Sequence, residues 1–257
     1  HRIIKEQLPE FPVSAFGDRR CLQQFKKVRD QIAKFGLPHR DRPGWKPRKP
    51  KGSPHDADEF WGRVSALVTW GMRWGHLVDI LVNPFSDYEH LYHGNRVDKI
   101  WSWDQEFQFI AATPWQMQLA YLLAVCLGLR RTDIWRLTWS CYDGKYIRLQ
   151  LHKRQKPSKP APRVTIPVLS VLKLMLDRVK AFLKPSPDDP ILLSTENLPY
   201  ADPQSFGESF QYFRNKKAKI VGRTLHDLRG TAVTRLAMAG CTEAEIASIT
   251  RHSIGRV

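Results

Sequence analysis

The chain has 257 residues, of which 42% are hydrophobic, so it is long enough to form two domains with cores of their own. Lysine and arginine number 41 against 25 aspartates and glutamates, which gives a formal net charge of +16. Such an excess repels itself unless a polyanion offsets it. It therefore favours a nucleic-acid partner over an anionic membrane surface or a merely basic protein without such a partner. No apolar run reaches the length of about 20 residues that a membrane span needs, and the first residues lack the apolar core of a signal peptide.

The first part of the sequence, residues 1–97, is predicted to form a small helical domain. Apolar residues recur at spacings of three and four over 14–36 and again from about 56 to 77, which predicts two amphipathic helices. Prolines exclude a helix from 38–54 between them. That segment is strongly basic, so it is either a strap that tracks a phosphate backbone or a solvated linker. Its basic residues are Arg40, Arg42, Lys46, Arg48, Lys49 and Lys51.

The second part, residues 98–257, is predicted to be a mixed α/β domain, so the fold as a whole is mainly α with a small β-sheet. A strongly apolar helix over 114–128 ends at a glycine, which is a common helix stop. Two strands, 146–151 and 163–167, are joined by a stretch rich in lysine and proline, which predicts a long β-hairpin. Further helices are expected over 132–137, 168–183, 203–219, 225–239 and 242–251. Thr242 opens the last of these with a capping-box pattern.

Four cysteines occur, and none forms a C-x-x-C pair. Cys126 and Cys241 fall inside apolar helical patterns. We therefore expect buried free thiols in a reducing cytosol rather than disulfides or metal ligands.

Three short motifs carry candidate chemistry: GLRRTD at 128–133, LHDLRGT at 225–231 and ITRHS at 249–253. Each alone has an ordinary explanation, such as a cation at a helix end or a histidine and an arginine three apart on a solvated helix. Their order is more informative. An arginine follows a glycine-terminated helix, then a basic hairpin, then H-x-x-R, and then a histidine after a capped helix.

This order resembles the catalytic domain of the tyrosine recombinases, the phage-integrase family. The resemblance is best over 114–257, while residues 14–84 are similar to the helical core-binding domain of that family, which also ends in Asn-Pro. It implies a site-specific recombinase or integrase of a mobile element, which cuts and rejoins DNA through a 3′-phosphotyrosyl intermediate. A catalytically silent DNA-binding protein of the same fold and a type IB topoisomerase are the alternatives.

The resemblance also implies roles for particular residues. Arg130 and Arg229 match the two arginines that neutralise the charge of the transition state. His226 matches the residue that assists deprotonation of the tyrosine, and His252 matches a donor to a phosphate oxygen. The leaving 5′-oxygen takes its proton from a hairpin lysine. Three lysines compete for that role: Lys153, Lys156 and Lys159. Of these, Lys156 is most similar to the Q-x-K pattern of the family. The other two are expected to contact DNA.

Two features depart from the family pattern. Arg251 stands where a glycine usually precedes the second histidine, and it is expected to contact phosphate or to crowd the turn. The nucleophilic tyrosine is expected beyond Val257, because the seven tyrosines of the chain all precede the H-x-x-R motif at positions that do not match. Residues 1–257 alone are therefore expected to bind DNA without cutting it.

The resemblance implies further partners. The expected ligand is a double-stranded DNA recombination site, bound by a homo-oligomer that becomes a tetramer on DNA. Accessory directionality or DNA-bending factors are possible partners, while no membrane, metal or cofactor is expected. The expected location is the cytoplasm of a bacterium, associated with the nucleoid, in a protein of bacterial or phage origin.

Overall fold

The computed structural model describes residues 12, 15–16, 20–36, 52–77, 79–93, 98–150 and 163–250. The chain divides into two compact units, residues 1–94 and 95–257. The assignment of these units as a core-binding domain and a catalytic domain stays a prediction. Within the described ranges, no helix is both long enough and apolar enough to cross a membrane.

In its described residues, the first unit has two α-helices, α1 (Arg20–Phe35) and α2 (Pro54–Arg73), which pack against each other. Both predicted helices are confirmed, and the second begins two residues before and ends four residues before the predicted bounds of about 56 and 77. Their facing sides enclose an aromatic core with Phe25, Trp61 and Phe85 buried at its centre. The Trp61 indole Nε1 donates to the Phe85 carbonyl at 3.2 Å, so its one polar atom is satisfied in the core. The basic strap lies outside the described residues.

The second unit is built around one apolar helix, α4, which packs on α6 and α8. Its buried side chains include Met117, Leu119, Leu123 and Leu127, all fully covered. A helix that is apolar on nearly every side is expected to lie inside a domain. The helices of this unit are α3 (Trp103–Ala112), α4 (Trp115–Leu127), α5 (Arg131–Trp135), α6 (Ser170–Leu183), α7 (Pro203–Tyr212), α8 (Asp227–Met238) and α9 (Glu243–Thr250).

The predicted hairpin is confirmed. Strands β1 (Tyr146–Gln150) and β2 (Arg163–Pro167) pair antiparallel, with Tyr146 opposite Pro167 and Gln150 opposite Arg163. Alternate side chains point inward, so Ile147, Val164 and Ile166 are buried while their neighbours face solvent. The connecting residues 151–162, with all three candidate lysines, lie outside the described residues.

Two elements differ from the sequence-based expectation. Helix α3, which begins at Trp103, was not predicted. Ser102 and Gln105 form a capping box, in which the Gln105 amide N–H donates to Ser102 Oγ at 3.3 Å and Gln105 Oε1 accepts from the Ser102 amide at 3.1 Å. The predicted helix 203–219 instead ends at residue 212 and continues as a π-helical turn, Phe213–Lys217.

The predicted helix stop at Gly128 is confirmed and is sterically tight. Its φ is 57°, and its amide donates to the Ala124 carbonyl at 3.1 Å. A Cβ at this position would lie 2.8 Å from Thr250 Cγ2 on α9 and 3.4 Å from Ala232 Cβ on α8. The turn that leads into α5 thus has no room for a side chain.

An ion pair between a buried carboxylate and a partly exposed guanidinium connects α3 with α8. Arg235 Nη2 lies 2.7 Å from Glu106 Oε1, and the Glu106 carboxylate is almost wholly buried. The guanidinium also stacks 3.7 Å from the centre of the Trp103 ring. Burial, followed by a hydrogen bond to Glu106, raises the pKa of the neighbouring Tyr121 phenol. This ion pair therefore fixes α3 to α8, which in turn packs on α4.

Replacing Gly128 by alanine is expected to destabilise the second unit more than a glycine replacement that meets only backbone strain. The left-handed φ costs about 1–2 kcal/mol for an L-residue, and the overlap with Thr250 adds about 1–3 kcal/mol. Gly240 is the matched control, because its φ is 83° and a Cβ there meets nothing within 4 Å. Urea unfolding of Gly128→Ala and Gly240→Ala measures the difference; equal losses would contradict the steric account.

Replacing Arg235 by methionine is expected to destabilise the protein by about 3 kcal/mol, because the buried Glu106 carboxylate would lose its counter-charge. The double variant with Glu106→Gln should regain most of that loss, since it removes the uncompensated charge as well. Thermal unfolding of the single and double variants checks this. No recovery in the double variant would show that Arg235 acts through its packing on Trp103 instead.

Candidate active site

The first motif lies in the turn between α4 and α5. Because α4 ends at Gly128 and α5 begins at Arg131, Arg130 sits in the connection, and its side chain is exposed. Asp133, one turn into α5, is buried. The sequence therefore presents one cation outward and holds one carboxylate inside the fold.

The second motif lies at the start of α8, where the buried Asp227 carboxylate holds the preceding loop by hydrogen bonds. Asp227 Oδ2 accepts from the Thr224 amide at 2.7 Å and from the Thr224 hydroxyl at 2.8 Å. This local loop sets the direction in which α8 begins. His226, just before the helix, is exposed, while Arg229, three residues later, is only 3% exposed. The H-x-x-R motif thus has one exposed and one buried member.

Arg229 joins the first two motifs. Its Nη1 donates to the Gly128 carbonyl at 2.5 Å, across more than a hundred positions of sequence. Burial, followed by the positive charge of Arg130, lowers the pKa of Arg229 to about 10, while Asp133 opposes the shift. Two guanidinium groups that repel each other are therefore held close together in the fold, which is the arrangement that an anion between them would relieve.

The third motif is described only as far as Thr250, the last residue of α9. Thr250 Cγ2 lies against Gly128, so α9 delivers the chain to the turn that carries Arg130. The expected capping box of α9 is confirmed: Glu245 Oε2 accepts from the Thr242 amide at 2.8 Å. Arg251 and His252 follow directly but lie outside the described residues.

An open cavity of about 600 Å³ lies where the first two motifs meet. Arg130 and His226 both line it. Its walls consist of Arg130, Arg131, Thr132, Gly207, Phe210, Gln211, Arg214, Thr224, Leu225 and His226. Guanidinium forks and an imidazole around one cavity can bind a phosphate group bidentately and exchange a proton with it.

Sequence reasoning missed two further arginines of this cavity, Arg131 and Arg214. Arg131 is the second arginine of the first motif, so its place in the motif was a usable signal. Arg214 had none, because it lies in the π-helical turn after α7, in a region read as plain helix. The seven tyrosines all belong to the described residues, and none of them lines the cavity.

The structure describes Arg130, His226 and Arg229 of the predicted catalytic residues. Lys156 and His252, and the expected DNA contacts Lys153, Lys159 and Arg251, lie outside the described ranges, as does the basic strap. Their roles stay predictions. One group of possible metal ligands occurs in the described residues, formed by His55, Asp56 and Glu59 on the surface of the first unit.

No protein-family model matches the sequence, and no curated protein matches it either. Solved structures do match. Lambda integrase residues 75–356 bound to DNA has a TM-score of 0.67 at 17% identity, over 97% of this chain and 80% of that chain. A lambda integrase tetramer bound to a Holliday junction has a TM-score of 0.68 at 18% identity, over 100% and 70%. The Tn1549 transposon integrase in complex with transposon right end DNA has a TM-score of 0.67 at 17% identity, over 98% and 84%.

At such identities, a structural likeness reports on the fold. The likeness covers nearly the whole chain in all three comparisons, and the chain is mainly helical with one small antiparallel sheet. Both integrases are tyrosine recombinases. This chain therefore has the fold of the tyrosine recombinases, as the order of its motifs predicted.

Proposed function

We propose that this chain is the DNA-handling part of a site-specific recombinase, an integrase of a mobile element that cuts and rejoins DNA through a 3′-phosphotyrosyl intermediate. The observation that carries the proposal is that Arg130 and His226 line one cavity of a recombinase fold, while the buried Arg229 is hydrogen-bonded to Gly128 in the turn that carries Arg130. The net charge of +16 supports a polyanionic partner.

The site suits phosphoryl transfer for a physical reason. The transition state carries extra negative charge on the equatorial oxygens, and fixed guanidinium groups can neutralise that charge. Arg229 is already desolvated and held by the Gly128 carbonyl, so little reorganisation accompanies the reaction. His226, exposed at the cavity, would take the proton of the attacking tyrosine, whose phenol is mostly protonated at neutral pH.

The attacking tyrosine is proposed to come from outside these 257 residues, either from the same polypeptide or from a neighbouring copy. None of the seven tyrosines lines the cavity, and Tyr121 and Tyr142 are buried elsewhere in the second unit. Lys156, on the hairpin connection, is proposed to protonate the leaving 5′-oxygen, with Lys153 and Lys159 as competitors. His252 is proposed to donate to a phosphate oxygen.

Assembly on DNA is part of the same proposal. Solved lambda integrase structures include a dimer bound to a COC′ core site and a tetramer bound to a Holliday junction. We propose a tetramer of this chain on its recombination site, assisted by accessory directionality or DNA-bending factors. The basic strap at 38–54 would contact the backbone of the same DNA.

Replacing Arg130 by methionine is expected to weaken DNA binding without destabilising the free protein. Removing one of two repelling cations leaves the free energy of unfolding unchanged or raises it, while one lost phosphate contact lowers the salt slope of binding by about 1. Affinity for a duplex across a salt series, together with thermal unfolding without DNA, measures both quantities. Arg136→Met is the control, since Arg136 is exposed and does not line the cavity.

Covalent trapping tests the chemistry. A binding site is first selected from random-sequence duplexes, and a nicked suicide version is then offered to the natural protein that carries this sequence. We expect a detergent-resistant adduct. Arg229→Lys should slow the formation of this adduct on the order of 10³-fold, because lysine keeps the charge and loses the guanidinium fork.

Covalent trapping, together with a plasmid-relaxation assay, separates the alternative functions. Residues 1–257 alone should bind the selected DNA and form no adduct; an adduct there would contradict the proposed origin of the tyrosine. No adduct with the natural protein would favour a silent DNA-binding protein. Relaxation of any supercoiled plasmid, without regard to sequence, would favour a type IB topoisomerase.

A further inference from the structure

The cavity holds more positive charge than the first two motifs supply. Arg131 and Arg214 line it together with Arg130 and His226. A cavity of about 600 Å³ is within the range that accommodates a drug-sized ligand, and is therefore larger than one phosphate group needs. The additional pair of guanidinium groups therefore has space to bind a second anion.

Arg131 lies against α7 at a position without a side chain. A Cβ placed on Gly207 would come within 2.5 Å of Arg131 Nη1 and 3.0 Å of Arg131 Cδ. Gly207 itself lines the cavity. The bare backbone of α7 therefore leaves the space in which the Arg131 guanidinium lies, although Arg131 belongs to α5.

Arg214 is a buried cation on the wall of the same cavity, only 7% exposed. Its Nε and Nη2 both donate to Asn215 Oδ1, at 3.0 and 2.7 Å, and an amide oxygen carries no charge. Burial lowers the pKa of Arg214, and the charge of Asp227 opposes the shift. Asp227 Oδ2 already accepts two hydrogen bonds from Thr224. Arg214 forms no salt bridge within the part of the chain that the structure describes.

Among the described residues, two carboxylates interact electrostatically with this pair of arginines. The pKa of Asp202 is lowered chiefly by the hydrogen bond from the Ser205 amide and only in small part by the charge of Arg131, while the charge of Asp227 acts on Arg214. Asp202 is exposed and already accepts from the Ser205 amide at 2.7 Å. A buried cation that faces a cavity without a paired carboxylate is costly unless an anion fills the cavity. A phosphodiester supplies one negative charge and the oxygen geometry that guanidinium groups match.

We propose that Arg131 and Arg214 form a second phosphate subsite, which binds the phosphodiester next to the scissile one on the same DNA strand. The inference rests on the proposed function, because Arg130 and Arg229 must hold the scissile phosphate. The subsite fixes the position of the strand along its own axis, so that the scissile phosphate alone reaches Arg130. Gly207 is a positioning residue of this subsite, because its missing side chain leaves room for Arg131.

A double-mutant cycle between arginines and phosphates tests the subsite. Single neutral methylphosphonates are placed in turn along each strand of a selected duplex, and binding is measured for the natural protein and its Arg130→Met and Arg131→Met variants. A phosphate contacted by an arginine loses affinity on neutralisation in the natural protein, but not when that arginine is absent. We expect a coupling of about tenfold for Arg130 at one position, and of similar size for Arg131 at an immediate neighbour on the same strand.

Gly207→Ala is the conservative companion of Arg131→Met. It keeps every charge and displaces the Arg131 guanidinium, so it should reduce the coupling at the neighbouring phosphate and leave the coupling of Arg130 intact. Thermal stability should not fall, because alanine favours a helix interior over glycine. Arg136→Met should couple to neither phosphate. Arg214→Lys keeps the buried charge and loses the guanidinium fork. It should therefore reduce the affinity that is lost when the same neighbouring phosphate is neutralised.

The outcomes separate the two proposals. If Arg130 couples to one phosphate while Arg131 couples to none, or to a phosphate of the opposite strand, the second subsite is wrong and the proposed function stands. If neither arginine couples to any phosphate, the proposed function fails with it. Natural-like coupling in Gly207→Ala would show that the contact with α7 does not position Arg131.

Discussion

The hydrogen bond from the Arg229 guanidinium to the Gly128 carbonyl is the interaction on which the site depends. It closes the space between the turn after α4 and the start of α8, and thereby brings together two motifs that are far apart in sequence. It also satisfies one donor of a buried charged group, whose desolvation would otherwise be more costly. The carbonyl is available because Gly128 ends α4 in a left-handed conformation. The last carbonyls of a helix have no hydrogen-bond partner within the helix and need one from outside it.

The electrostatics of the site follow from this closure. Arg229 is buried and retains its charge at neutral pH, since burial and Arg130 lower its pKa only to about 10. The buried carboxylates of Asp133 and Asp227 partly offset the charges of Arg229 and Arg214, and neither carboxylate lines the cavity, whose described lining includes three arginines. The free protein is thus poised for an anion, and the energy of that repulsion becomes available when a phosphate binds.

Much of this architecture could be predicted from sequence, because strong periodicity and local stop signals fix helices and hairpins. The stop at Gly128, the hairpin strands and the capped helix after Thr242 are such cases, and the structure confirms each. Helix α3 was not predicted, because only Glu106 and Phe109 are buried in it and its apolar periodicity is therefore too weak to indicate a helix. Arg214 escaped because its role arises from tertiary placement, which no local pattern encodes.

The pairing of Glu106 with Arg235 bears on where a minimal version of the second unit can begin. The resemblance to the catalytic domain starts at the apolar helix, near residue 114, and a fragment cut there would contain all three motifs. That fragment would lack the buried carboxylate opposite Arg235 and the Phe109 ring that stacks on Phe210. It would also lose Trp101, whose indole Nε1 donates to the Thr224 carbonyl in the loop before His226. The smallest version of the second unit that keeps these contacts thus has to start upstream of Trp101, since residues outside the motifs support the loop that precedes His226.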